Sequence, residues 1–412
     1  MQYLHRQIEA SLREAATCFK AVLVLGARQV GKSTLLQNLF PDRKCIVFDP
    51  IQDLYGARRD PDLFLDSFPP PLILDEVQYV PELLPALKRR MDESQQKGQY
   101  LLTGSQNFSV LKTVAESMAG RVAIFQLDPM TLQEQEGRGL EESWLSSYLR
   151  QPDRFLSGPP RSPLLPERSL AELVFRGGYP EALVQPLSQL SRYFRAYLQT
   201  YVDRDVRSQE EIRQLVEFDQ FLSLSAALTA QEVNASHLGR EIGISPHTGR
   251  RWLDLLTFSY QWTQLPGYHG NTIKRISSKP KGYFKDTGLA CYLQRIDSPE
   301  TLVISPRFGA LFETWCVHHV LAHANAMEVP PMLYHWRTAG GAEVDLVMEW
   351  GGRLYPIEVK SSTKLSAQDL SGLRAFRATY PEREIAPALI LYAGKEPFLV
   401  EAQTLALPWH ML

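Results

Sequence analysis

The sequence predicts an α/β protein of several units: a parallel sheet at the N-terminus, a helical middle, and a C-terminal unit mixing helices and strands. Three observations predict it. Five short apolar runs, AVLVLGA, KCIVFD, PLILDEV, QYLLTGS and RVAIFQL, alternate with amphipathic stretches between residues 21 and 130. Continuous apolarity marks strands covered on both faces, and the intervening helical patterns make them parallel. From about 170 to 260 the periodicity is mostly helical, and from about 285 to 412 it mixes around a charged hairpin, AEVDLVMEWGGRLYPIEVKSS. At 412 residues the chain is too long for one ordinary core, and the units read as 1–135, 136–210, 211–284 and 285–412.

Composition excludes some classes of function. Lys plus Arg at 44 against Asp plus Glu at 46 leaves no whole-chain field to draw nucleic acid or a membrane, so any basic surface must be local. The start, MQYLHRQIEASLREAA, lacks the apolar run of a signal peptide, and no apolar stretch approaches a membrane span. A cytoplasmic protein without a membrane partner is expected. Cys18, Cys45, Cys291 and Cys316 are far apart, in no metal-ligand spacing and each beside apolar neighbours. They read as buried free thiols. The proline-rich stretch QPDRFLSGPPRSPLLPER, residues 151–168, reads as a loop.

GARQVGKST, residues 26–34, follows the strand AVLVL and precedes the apolar helix TLLQNLF. Gly-x4-Gly-Lys-Ser in a strand-loop-helix context is a phosphate-binding loop. Gly26 and Gly31 let backbone N–H groups curl round a phosphate at a helix N-terminus. Ala27, Arg28, Gln29, Val30 and Thr34 complete the cradle, Lys32 reaches the β- and γ-phosphates of ATP, and the Ser33 hydroxyl ligands Mg²⁺. PLILDEV ends in Asp75-Glu76, where Asp75 is placed to hold Mg²⁺ through water and Glu76 to orient or deprotonate the attacking water.

GARQVGKSTLL, LILDEVQ, LLTGSQNF, SMAGRV and LDPMTLQE, in this order, resemble the AAA-type ATPases of bacteria and archaea related to the STAND class. FRGGYPEAL, YVDRDV, KGYFKDTGLACYL, ALFETW and GAEVDLV…IEVKSS resemble the C-terminal domain of unknown function attached to many of them. The resemblance implies an AAA-type P-loop NTPase fold, ATP binding with slow hydrolysis, and assembly as a homo-oligomer. It also implies a nucleotide-sensing polar residue after the third such strand, for which Ser105 is first choice and Asn107 second; an ordinary strand-end turn is the alternative. Arg121, just before the fifth strand, stands where the class carries an arginine finger serving a neighbouring subunit, and a structural ion pair is its other reading.

ASHLGREIGISPHTGRRWLDLLTFSYQWTQLP, residues 235–266, has Leu238, Ile242, Ile244, Trp252, Leu255 and Leu256 at core spacing, with Gly243 between two helical patterns. This predicts a helix-turn-helix whose second helix is capped by Ser245 and exposes His247, Thr248 and Arg250 or Arg251. Lys274, Arg275, Lys279 and Lys281 then read as the basic wing of a winged helix, contacting DNA phosphates. The competing reading is a packing module between nucleotide unit and effector.

In the hairpin, a two-residue Gly351-Gly352 turn pairs Trp350 with Arg353. The same register sets Asp345 opposite Glu358 and Glu343 opposite Lys360, all four on one face, with Val344, Leu346, Ile357 and Val359 on the other. Facing carboxylates need a cation, and oxygen ligands suit Mg²⁺ or Mn²⁺. Asp-x12-Glu-x-Lys resembles the PD-(D/E)xK nucleases. That implies a restriction-endonuclease-like α/β domain in which Asp345 and Glu358 hold the metal, and Glu313 of FGALFETWCVHHVLAHA completes its shell. Lys360 would position or activate water against DNA. Two departures stand: valine precedes Asp345 where the family has proline, and Pro356 removes a ladder donor, implying an edge strand or a bulge. Two functions are thus expected to compete: an ATP-dependent enzyme cutting DNA, and a nucleotide-driven oligomerising switch whose C-terminal unit only docks.

Overall fold

The computed structural model describes residues 3–105, 118, 120–158, 162–202, 214–271, 275 and 278–412. Asn107, Lys274 and the last four residues of YVDRDV lie outside the described residues. The five apolar runs form β1 (Ala21–Leu25), β2 (Lys44–Val47), β3 (Leu72–Asp75), β4 (Tyr100–Gly104) and β5 (Val122–Gln126). They make one parallel sheet in the order β2-β3-β4-β1-β5. β1, β3 and β4 are buried along their whole length, as their mainly apolar sequences imply. Parallel register brings the carboxyl ends of β1, β3 and β4 to one edge, so the phosphate loop, the Asp75-Glu76 pair and Ser105 meet there. Helices α1 (Glu9–Cys18), α2 (Lys32–Leu39) and α3 (Leu83–Glu93) belong to this unit.

Among the helices that follow are α4 (Leu170–Arg176), α5 (Pro180–Val184) and α6 (Leu187–Tyr201). The 151–168 stretch is not all loop: Pro152–Leu156 is a short helix with proline at its first position, where the missing N–H and fixed φ are tolerated. The middle unit runs α7 (Leu215–Ala227), β6 (Gln231–Glu232), α8 (Ala235–Glu241), α9 (Pro246–Phe258), β7 (Trp262–Leu265) and β8 (Lys281–Phe284). Its strands pair antiparallel in the order β6-β8-β7. Ser245 caps α9 by accepting from Thr248 N at 3.0 Å, and Leu238, Ile244, Trp252, Leu255 and Leu256 are buried as their spacing implies. Gly282 is where Trp262 crosses the sheet: a Cβ there would lie 2.0 Å from the indole.

The C-terminal unit opens with α10 (Thr287–Leu293) and α11 (Phe308–Asn325). Its strands are β9 (Met332–Arg337), β10 (Glu343–Trp350), β11 (Arg353–Lys360), β12 (Ala388–Tyr392), β13 (Phe398–Glu401) and β14 (Thr404–Pro408), with α12 (Ser371–Thr379) before β12. They form one mixed sheet in the order β13-β14-β12-β11-β10-β9. The hairpin register holds from Trp350↔Arg353 to Leu346↔Ile357. Both turn glycines have positive φ, 57° and 83°, as a tight primed turn demands.

Beyond that point the expectation fails. A β-bulge in the β9 pairing falls between Val344 and Val347, and it reverses the facing of the residues before it. Val344 therefore joins Val347 and Ile390 in a cluster with Leu373 and Phe376 of α12, while Leu346, Ile357 and Val359 join the main core with Phe312 of α11. Glu343 pairs with Arg337 on β9, not with Lys360. Pro356 is in neither an edge strand nor a bulge. β11 is central: residues 384–386 already bridge to it at Leu354, continuous pairing with β12 begins at Ile357, and between them Ala386 O accepts from Arg377 Nη2 at 2.8 Å.

Two of the four thiols also depart from expectation: Cys291 and Cys316 are buried, but Cys18 is exposed and Cys45 half-buried. Among the described residues no helix is long and apolar enough to cross a membrane.

Candidate functional site

The phosphate loop borders an open cavity of about 910 Å³ lined by Gln29, Gly31, Lys32, Ser33, Thr34 and Glu76 on the sheet side, and by Pro180, Leu183 and Tyr193 on the helical side. Its size suits a nucleotide. Gly26 has φ +154°, and a Cβ there would lie 2.3 Å from Leu127 O, so the first loop glycine is obligatory. Lys32 Nζ donates to Gly26 O at 3.0 Å and Ala27 O at 2.9 Å, which holds the ammonium over the loop. Gln29 takes a positive φ of 61° and accepts from the Tyr193 hydroxyl at 2.9 Å. Val30 is buried, and its carbonyl accepts from Arg6 Nη1 at 2.9 Å. Arg28 pairs with the Tyr79 hydroxyl, and Thr34 is exposed on the first turn of α2.

Asp75 ends β3 facing this loop. Ser33 Oγ donates to its two carboxyl oxygens at 2.8 and 2.7 Å, and Thr103 Oγ1 donates to Oδ1. A hydroxyl and a carboxylate converging in this way fit Mg²⁺, with the remaining ligands left to phosphate oxygens and water. Glu76 adopts φ +61°, a conformation costly for any residue but glycine, which throws its side chain back toward the loop. Burial would raise its carboxyl, but Lys32, Gln78 and Arg28 together hold it below the ordinary range. Gln78 Nε2 donates to Glu76 and, at 2.9 Å, to Ser105 Oγ, so Ser105 sits behind the acid as a positioning group.

Sequence reading missed Thr103 and Gln78. Thr103 Oγ1 also accepts from Glu76 N at 3.0 Å, so one hydroxyl fixes both acids. The signal was available: Thr103 is the last polar residue inside an otherwise apolar strand, and a buried hydroxyl needs partners. Thr103→Val, isosteric but unable to bond, is expected to cost about 1–3 kcal/mol by leaving a buried N–H and carboxylate short of a partner. Urea unfolding measures it; an unchanged midpoint would show that the hydroxyl holds nothing.

Arg121 lies at the other end of β5, level with the start of β1, and makes an ion pair with Asp92 of α3.

In the C-terminal unit Glu313 of α11, Asp345 of β10 and Glu358 of β11 do come together, but not round a vacant cation position. Lys281 of β8 reaches in from the middle unit, its Nζ 2.6 Å from Glu313 Oε1 and 2.8 Å from Asp345 Oδ1. Asp345 Oδ2 accepts from Val359 N at 2.9 Å, and Glu313 Oε1 also accepts from the Tyr283 hydroxyl at 2.8 Å. Lys360 Nζ pairs with Glu358 Oε1 at 2.6 Å. Glu358 Oε2 is buried and has no hydrogen-bond partner among the described residues.

Three acids and two lysines leave one charge uncompensated. Burial and the neighbouring Asp345 raise Glu358 well above an ordinary carboxyl and push Glu313 up to about 7. Asp345 would be raised by burial too, yet the Lys281 ammonium outweighs that and holds it low. Among the described residues no group of three His, Cys, Asp or Glu has the geometry to hold a metal ion. As arranged, these residues do not fit the Mg²⁺ or Mn²⁺ expected there: an ammonium already occupies the middle of the acids.

The expected basic wing is spent in the same way. Arg275 bonds Glu349 of β10 at 2.9 Å and stacks over Tyr268 at 4.4 Å, and Lys281 is buried. Of the wing residues described, Lys279 alone is exposed; His247, Arg250 and Arg251 are exposed on α9. Of the described residues of this stretch, Arg275 and Lys281 pack on the C-terminal unit.

The model of a family described as AAA domain matches residues 19–136, and two domains of unknown function, DUF8612 and DUF4143, match residues 167–300 and 308–412. The N-terminal unit is an AAA-type P-loop ATPase domain. Over 405 residues the chain is 28% identical to uncharacterized proteins of Mycobacterium tuberculosis, Rv2008c, and Mycobacterium bovis, Mb2031c, covering 98% of this chain and 83% of each relative. Among solved structures it resembles the Walker-type ATPase PABY2304 of Pyrococcus abyssi at 16% identity and a TM-score of 0.45, over 70% of this chain and 95% of that one.

Proposed function

We propose that the protein is an ATP-driven switch. The N-terminal unit binds ATP with Mg²⁺ and hydrolyses it slowly, and β8 carries its nucleotide state to the C-terminal unit. The observation that carries this reading is the triangle of Ser33, Asp75 and Thr103 with Glu76 beside the loop cavity. Loop N–H groups and Lys32 take the phosphates, and Ser33 with Asp75 hold Mg²⁺, which when bound neutralises charge on the phosphate oxygens. Glu76, kept ionised beside Lys32, accepts a proton from the attacking water while Gln78 and Ser105 keep its carboxylate in place.

At the other end, Arg6 ties Val30 O of the loop to Asp128 O just after β5, and Lys285 pairs with the Asp128 carboxylate. Lys285 directly follows β8, whose first residue is Lys281. One strand therefore touches both units. Assembly into a homo-oligomer belongs to this reading: Arg121 lies about 16 Å of strand away from its own loop, so any role in hydrolysis requires a second copy.

Lys32→Ala is expected to weaken ATP binding about 10- to 100-fold, the worth of a lost charged hydrogen bond. Calorimetric titration measures it; wild-type affinity together with wild-type turnover would sink the proposal. A second reading, metal-dependent cleavage of DNA contacted through α9, is favoured by one observation, the orphaned Glu358 Oε2 beside Asp345. It requires Lys281 to leave first.

A further inference from the structure

Lys281 is foreign to the unit whose acids it enters. It lies at the start of β8, held between β6 and β7 by the pairs Glu232↔Lys281 and Leu265↔Lys281, while Glu313, Asp345 and Glu358 come from α11, β10 and β11. An acid cluster alone indicates nothing about a ligand, but here two further facts do. An ammonium sits within 2.8 Å of two of the acids, and the third, Glu358, is 4% exposed and keeps one oxygen without a partner. Two of its members, Lys281 and Glu313, line an open, polar cavity of about 450 Å³ together with His335 and Arg337, so the Lys281 side of the centre faces solvent-accessible space.

We infer that the C-terminal acid centre is a cation site whose resident cation is Lys281 itself, and that the ammonium and a divalent ion exclude one another there. An ammonium and a divalent ion need the same oxygens, Glu313 Oε1 and Asp345 Oδ1, and two cations that close would repel strongly in a buried site. While β8 stays docked the centre is a closed ion pair. Withdrawn from it, β8 leaves three carboxyls with only Lys360 to balance them, a set of oxygen donors that suits Mg²⁺ or Mn²⁺. The inference is independent of ATP hydrolysis and stands or falls on cation binding.

The test is Mn²⁺ titration of the full-length protein without nucleotide, followed by the paramagnetic resonance of free Mn²⁺, for the wild type, Asp345→Asn, Lys281→Met and the double variant. The wild type and Asp345→Asn are expected to titrate alike, since neither offers Mn²⁺ this site. Lys281→Met is expected to gain one ion per chain at least tenfold tighter, lost again in the double variant, and Mn²⁺ should raise its melting midpoint but not that of the wild type. Weaker binding in Asp345→Asn than in the wild type would overturn exclusion. A folded Lys281→Met that gains no Asp345-dependent ion would overturn the cation site. Should Lys281→Met not fold, the wild-type and Asp345→Asn comparison still decides, with Lys281→Arg, which keeps the charge, expected to match the wild type.

Discussion

Glu76→Gln is expected to bind ATP with near wild-type affinity while turnover falls about 10²- to 10⁴-fold, the usual contribution of a positioned general base. The amide keeps the size of the side chain and its hydrogen bonding to Gln78, and it asks no more of the positive φ at this position than glutamate does. What it loses is the ability to take a proton. Binding is expected to be spared because the proposed phosphate contacts of the loop and Lys32 do not involve Glu76, and the Ser33 to Asp75 contact is untouched.

The pH dependence has a definite sign. Burial opposes ionisation of Glu76, but Lys32, Gln78 and Arg28 prevail and hold the folded-state value low. Glu76 is therefore ionised across the neutral range, and the contribution proposed for it as the base should be lost only as pH falls through that depressed value. Single-turnover measurement of phosphate release from pH 5 to 9 checks both claims. Undiminished turnover in Glu76→Gln would remove it as the base, and a wild-type rate rising through neutral pH would point to another group.

The nucleotide half is legible in the sequence because its signals are local. Each of the five strands is one short, mainly apolar run, the loop glycines lie within nine residues, and Asp75-Glu76 stand together at a strand end. The hairpin register is equally local, set by two adjacent glycines. The bulge that turns Val344 away from Leu346 is not, because it arises from how β9 pairs with β10 and leaves no mark in the alternation.

Lys281 is the clearest case of what sequence pattern cannot carry. Among NTIKRISSKPKGY it is one more base of a presumed wing, and its partners are 32 and 64 residues further on. Clustered carboxylates require a positive charge, and the Lys281 ammonium 2.8 Å from Asp345 supplies one. Arg275 follows the same rule, a charge that reads as exposed until Glu349 and Tyr268 are brought to it.

Lys285→Met is expected to destabilise the protein by about 3–5 kcal/mol, because it strands a carboxylate in the interior. Lys285 and Asp128 have side chains only 5% and 6% exposed, so little solvent screening relieves the loss. Burial would raise Asp128, and Lys285 is the largest influence holding it low, with Asn325 and Gln126 adding hydrogen bonds at 2.6 and 2.8 Å. Those two donors survive in the variant, which places the cost toward the lower end of the range. The double variant Lys285→Met with Asp128→Asn should recover much of it, since the amide carries no charge to strand and can still accept from Asn325.

Non-additivity of that kind, measured by urea unfolding across the cycle, separates a buried pair from two independent packing residues. Additive losses would mean that the pair is incidental. The same cycle bears on the switch, because Asp128 O is also where Arg6 ties the phosphate loop to this corner of the fold. If β8 reads the nucleotide state through Lys285, ATP should stabilise the wild type against urea more than it stabilises Lys285→Met, at equal measured affinity for ATP. Equal stabilisation of both would leave Lys285 as a structural anchor and remove β8 from the path between the two sites.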